Sequence, residues 1–196
     1  MKRSNVVASA EDETDRMLLG AIAAEDRRAF DVLYRRHRSR VYGYIRGIVR
    51  DPELAEDLLT ETMVLVWQRA AGFAGYSRVS TWMIGIARHK AIDAVRASAR
   101  RAAGVSAEAN SPPDPPMTPA DSAHAEQLAS LTHQALRRLT RNHFEALRLA
   151  FFEELPYSEI ARVLAIPPNT VKSRVHYAKA ALGRHMYASL PFGANL

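Results

Sequence analysis

The chain of 196 residues contains no cysteine, which excludes a disulfide framework, a thiolate metal site and thiol-based redox sensing within it. It also has no apolar run long enough to span a bilayer, and its opening MKRSNVVASAEDETD turns acidic where a signal peptide would turn hydrophobic. A soluble, cytoplasmic protein without membrane insertion is expected. Seven histidines, His37, His89, His124, His133, His143, His176 and His185, are scattered through the chain with no metal-ligand pair in a supporting motif. No nucleophile and base stand in a recognisable arrangement either. The expectation is a protein that is not an enzyme, with no catalytic residue, no metal site and no cofactor. Residues 14–97 offer no acidic phosphoacceptor cluster set in a parallel sheet, which a signal-sensing regulator would need.

What is present is charge of one sign, unevenly spread. The formal net charge is +6 and the isoelectric point about 9.9, an excess that favours a polyanionic partner. Residues 1–26 carry a net −3, residues 84–101 a net +4 and residues 137–186 a net +5.

The most informative stretch is YSEIARVLAIPPNTVKSRVHYAKAAL, residues 157–182. Ser158 is placed to cap a first helix whose Ile160, Val163 and Leu164 share one side. A turn follows at Ala165 to Pro167, and Pro168 sits where a first-turn proline is tolerated. Along the second helix Val171, Val175, Ala178 and Leu182 form one apolar stripe, while Asn169, Lys172, Ser173, His176 and Tyr177 project to the other side. This is the layout of a DNA-reading helix-turn-helix, in which donors near the start of the second helix reach base edges and cations meet phosphates.

The remaining helical signals are taken in chain order. Residues 1–13 lack periodicity and are expected to be disordered. Met17, Leu18, Ala21 and Ile22 suggest a short helix over 14–24, and Phe30, Leu33, Tyr34, His37, Val41 and Ile45 a longer one, with His37 as a packing histidine. Asp51 and Pro52 form a cap and first-turn proline for the helix DPELAEDLLTETMVLVWQRA. Its Leu54, Ala55, Leu58, Thr62, Leu65 and Val66 lie on one arc, and Met63 and Trp67 nearly opposite, so the second face needs an adjacent helix or an outside protein. Residues 72–80 form a loop with Phe73, Tyr76 and Arg78. Ser80 or Thr81 would cap the next helix, with Ile84, Ala87, Ala91, Ile92 and Val95 inward and Arg88, Lys90, Arg96 and Arg100 outward. Aromatics beside a basic helix suit single-stranded nucleic acid. Residues 102–122 read as a Pro-rich flexible linker, with five prolines between 102 and 120. A helix over 125–139 carries Leu128, Leu131, Ala135 and Leu136 inward, and one over 142–154 carries Phe144, Leu147, Ala150 and Phe151. The fold class is therefore all-α: one small helical domain over 14–101 and a second over 123–186 ending in the helix-turn-helix, followed by a tail over 187–196.

Three segments in this order, DPELAEDLLTETMVLVW, STWMIGIARHKAIDAVR and LPYSEIARVLAIPPNTVKSRVHYAKAAL, make the chain resemble an extracytoplasmic-function (ECF) sigma factor, an alternative initiation subunit of bacterial RNA polymerase. The resemblance covers roughly residues 14–97 and 123–185. It implies that Glu56, Asp57, Leu58, Thr60 and Glu61 dock on the clamp helices of the largest subunit of core RNA polymerase. It implies that Phe73, Tyr76, Arg78, Ser80 and Trp82 take part in capturing an unstacked base of the −10 element and holding the melted single strand, with Arg88, Lys90 and Arg96 on the helix nearing its upstream part. Asn169, Thr170, Lys172, Ser173, Arg174, His176 and Tyr177 fall on the helix that reads the −35 element in duplex promoter DNA. By helical phase Arg174 points to the flank, which suits a phosphate or an ion pair, whereas Lys172 and His176 suit bases. An anti-sigma factor is implied as a further partner. The chain departs from the family at Ala165 and Asn169, where glycine is usual, at Thr60, where glutamine is common, and at His89, where asparagine is common. The alternative reading is a self-sufficient helix-turn-helix regulator that binds DNA without redirecting polymerase.

Overall fold

A computed structural model of the chain describes residues 3–49, 51–102, 132, 134–136 and 138–189. It divides into two compact units, residues 1–107 and 108–196. Among the described residues the regular structure is helical throughout.

The first unit is built from α1 (Arg3–Ala23), α2 (Arg27–Arg46), α3 (Pro52–Arg69), a single 3-10 turn (Ala70–Gly72) and α4 (Val79–Ala102). Two of these helices start on local signals. Asp26 accepts hydrogen bonds from the N–H groups of Arg28 and Ala29, and Asp51 from those of Glu53 and Leu54, with Pro52 in the first turn. Each such cap contributes about 1 kcal/mol by satisfying donors the helix cannot. The four helices bury Leu19, Leu33, Ile45, Leu59, Val66 and Ile84 against one another, each stabilising the unit by about 1.5–3 kcal/mol relative to exposure.

Several expectations are corrected here. Residues 3–13, expected to be disordered, are helical, since α1 runs back to Arg3. Its hold on the rest of the unit is apolar through the buried Leu19 and Ile22 and polar towards its start, where Asp12 reaches the backbone of Val79 and Asp15 meets Arg36 and His37. Met17 is 65% exposed and Leu19 takes the core position instead. The second face of α3 finds its neighbours inside the unit, Met63 being buried and Trp67 meeting Phe30 edge-on at 5.4 Å. Neither Ser80 nor Thr81 caps α4. The helix begins at Val79, whose N–H donates to Asp12 Oδ1 at 2.9 Å, a partner 67 positions away. His37 is a packing histidine as expected, buried with Nε2 2.7 Å from Asp15 Oδ2.

The second unit contains α5 (Arg141–Phe151), α6 (Tyr157–Leu164) and α7 (Pro168–Ser189). Thr140 caps α5 by accepting from the His143 N–H. Phe144 and Leu147 are buried as expected, with Ala135 and Leu136 from the preceding stretch. Phe151, expected inward, is 52% exposed, because α5 ends there, and Lys179 Nζ lies 4.6 Å from its ring centre. Ser158 does not cap α6. That helix starts one residue earlier, after Pro156, with no side-chain cap. The linker over 102–122 beyond its first residue, Leu128 and Leu131 of the 125–139 helix, and the tail beyond residue 189 lie outside the described residues.

The turn between α6 and α7 places an alanine in a conformation that favours glycine. Ala165 adopts the left-handed conformation, φ 53° and ψ 47°, and closes α6 with a bond from its own N–H to Arg162 and one from Ile166 to Ala161. That paired pattern is a Schellman stop. A residue with a Cβ costs about 1–2 kcal/mol there, partly offset by the entropy glycine loses on folding. Ala165→Gly is expected to stabilise the unit by about 0.5–1 kcal/mol and raise its unfolding midpoint by about 2–8 °C. Calorimetry of the full chain checks this; an unchanged or lower midpoint would mean that the turn adopts another geometry in solution.

Candidate nucleic-acid interface

The stripe Val171, Val175 and Ala178 is buried under α7 and fixes which side of the helix faces out. Asn169, Lys172, Ser173, His176 and Tyr177 are exposed on that outer side, whereas Thr170 and Arg174 are half-buried at its edges. The flank position read for Arg174 from helical phase is the one it occupies. Three of the outer residues have internal engagements. Ser173 Oγ donates to the Thr170 carbonyl at 3.0 Å. Tyr177 packs against His143 of α5 and His176, with ring centres 6.3 and 5.7 Å apart. Lys172 and Asn169, with His176 exposed beside the Tyr177 ring, are the long or polar groups best placed to reach outward.

In the first unit, Phe73 and Trp82 bracket the loop from its two ends, their rings 5.2 Å apart. Both are half-buried, so the pair closes the base of the loop, while Tyr76 at its tip is 80% exposed. Gly75 takes φ 72°, which turns the chain before Tyr76. Arg78 and Ser80 do not join Tyr76 in open solvent. They line a polar cleft with Asp12, Asp15, Arg36 and His37.

The cations of α4 separate into different faces. Arg88 and Lys90 are two positions apart, about 200° around a helix, so they cannot both address one strand. Lys90 Nζ lies 2.8 Å from Glu61 Oε2 of α3. Arg96 shares the face of Trp82, along with His89 between them, a residue noticed in the sequence only as a departure from the family; His89 and Arg96 are exposed. A signal for His89 existed in the seven-residue spacing from Trp82 to His89 to Arg96.

The outward edge of α3 is acidic. Glu53, Glu56, Asp57, Thr60 and Glu61 are exposed in successive turns, with Val64 beyond them. Leu58 is buried beneath this edge and supports it without being reachable. The Lys90–Glu61 pair links the acidic edge to the basic helix, and as a surface ion pair it contributes about 0–1 kcal/mol, little enough to be exchanged for another partner.

Comparison with known proteins follows this division of the chain. A family model described as Sigma-70 region 2 matches residues 33–101, and one described as Sigma-70, region 4 matches residues 130–182. The RNA polymerase sigma-H factor of Pseudomonas aeruginosa is 28% identical over 190 residues, covering 88% of this chain and 93% of that protein. The ECF RNA polymerase sigma factor SigK of Mycolicibacterium vanbaalenii is 30% identical over 167 residues, covering 84% and 85% respectively. Among solved structures, the sigma factor RpoE from Bartonella quintana, crystallised with the anti-sigma factor NepR, is 20% identical and superposes with a TM-score of 0.64, covering 82% of this chain and 98% of that one. That last likeness speaks for the fold.

Proposed function

Because the chain belongs to the ECF group of RNA polymerase sigma factors, we propose that it binds core RNA polymerase, reads the −35 and −10 elements of its promoters with its two helical units, and assists melting of the −10 element. The observation that carries this reading is the presence of both the region 2 and the region 4 match in one chain, each falling on one helical unit. The domain limits we assign are 14–101 for the polymerase and −10 unit and 123–186 for the −35 unit, with α1 extending the first towards the N-terminus.

Melting in this scheme is binding and not catalysis, so the protein itself acts as no enzyme. Tyr76, exposed at the loop tip, supplies a ring on which a flipped base stacks, worth about 1–3 kcal/mol per base, against an unstacking cost of a few kcal/mol. Phe73 and Trp82 hold the base of that loop. His89 and Arg96 follow the strand along α4, and Arg88 meets backbone on the flank. In the second unit Lys172, His176 and Asn169 read base edges, and Arg174 meets a phosphate. The acidic edge Glu56, Asp57, Thr60 and Glu61 docks on the clamp helices. An anti-sigma factor that covers these surfaces is the expected regulator, in keeping with the complex in which a protein of the same fold was crystallised. No described helix is long and apolar enough to cross a membrane, in keeping with a place of action in the cytoplasm.

The test is transcription by purified core polymerase on a pool of genomic fragments, with and without the chain, at one fixed salt concentration, since phosphate contacts make affinity fall steeply with salt. New start sites that need the chain and vanish when residues 157–182 are deleted are the expected result. DNA binding by the chain alone with no redirected initiation would make it a self-sufficient regulator and sink the proposal.

A further inference from the structure

Helix α1 precedes the stretch matched to region 2, which begins at residue 33, yet it grips the loop assigned above to base capture. Asp12 Oδ1 accepts from the Val79 N–H at 2.9 Å, and its Oδ2 accepts from Arg16 Nε at 2.8 Å. Arg16 Nη2 donates to the Ser77 carbonyl at 2.8 Å, and both Nη groups stand 3.4–3.5 Å from the Gly75 carbonyl. The guanidinium carbon lies 5.5 Å from the centre of the Phe73 ring. Two side chains one helical turn apart thus meet the loop at residues 73, 75, 77 and 79. Gly75 is fitted to this grip, for a Cβ there would stand 3.0 Å from Arg16 Nη1, at a φ of +72° that side chains rarely adopt.

A loop held only at its ends would have to be ordered when the base arrives, and that lost freedom would count against capture. A loop ordered beforehand avoids it. We propose that Asp12 and Arg16 are positioning residues for promoter melting, holding residues 73–79 in the capture geometry before DNA is engaged while touching no base themselves. The inference rests on the melting role assigned above. It concerns the opening of the duplex, and neither polymerase affinity nor −35 recognition.

The experiment uses holoenzyme reconstituted from core polymerase and the full chain, on a promoter identified in the fragment pool. One template is fully paired and the other is mismatched across the −10 element, so that melting no longer limits. Arg16→Ala is expected to slow open-complex formation about tenfold on the paired template, as for a free-energy change worth one decade, and to leave the mismatched template within about twofold of wild type. Affinity for core polymerase stays unchanged. Gly75→Ala, which strains the same loop from its own side, is expected to give the same selective loss. Asp12→Asn keeps an oxygen for the Val79 N–H but removes the charge facing Arg16, and falls between. Equal losses on both templates, or none on either, would overturn the proposal; should Arg16→Ala fail to fold, Gly75→Ala decides alone. Wild-type chain that opens no promoter would instead refute the sigma reading itself.

Discussion

Alanine at both Lys172 and His176 is expected to lower transcription from a −35-dependent promoter by at least about thirtyfold, since each base-edge contact contributes about 1–3 kcal/mol of discrimination. Both side chains project from the exposed side of α7, opposite the buried Val171, Val175 and Ala178, so the unfolding midpoint should not move. Preference among −35 sequences should relax, because the lost contacts are ones that tell bases apart. Arg174→Ala provides the contrast. From its half-buried flank position it is expected to weaken binding to all sequences alike and to reduce the salt slope by about one. Run-off transcription on a randomised −35 library, with binding measured across a salt series, separates the two. A double variant that loses activity uniformly over the library would show that α7 grips backbone and that the readout lies elsewhere.

The second large effect is expected at the acidic edge of α3. Glu56→Lys combined with Asp57→Lys should weaken binding to core polymerase about a hundredfold or more, like charge brought against a complementary surface costing several kcal/mol. Because both residues are exposed, helix and core should survive the exchange, and the chain's own affinity for DNA should stay level or rise with the added positive charge. Leu58 must be left in place: it is buried under the edge, and Leu58→Ala would lower stability by about 2–5 kcal/mol and so confuse loss of docking with loss of fold. Competition against a labelled sigma subunit for core polymerase is the measurement. Full affinity in the double-lysine variant would place the polymerase contact on another face.

How much of this could be read from the chain depends on the range over which each feature is decided. The start of α3 and the turn into α7 are written within a few residues, as Asp51-Pro52 and as Pro168, because capping and first-turn proline act on backbone groups two or three positions away. The outward side of α7 was legible for a related reason, since a 3.6-residue period needs only the apolar stripe to fix the opposite face. Those local rules, with the order of three recognisable segments, determined the all-α class, the helix-turn-helix and the family. Other features were set by groups remote in sequence. The cap of α4 comes from Asp12, the neighbour of Trp67 is Phe30, and the partner of His37 is Asp15. The same holds for charges inside: Arg148 is only 4% exposed, with Glu153 and Glu159 also buried. A charge can be buried only where the fold supplies compensation, and no window of neighbouring residues contains that information. The sequence by itself therefore determined which helices form and which family the chain joins, while tertiary packing alone decided that the opening helix holds the loop and that Lys90 is tied to Glu61, since both rest on contacts between side chains or backbone that only the assembled helices bring within reach.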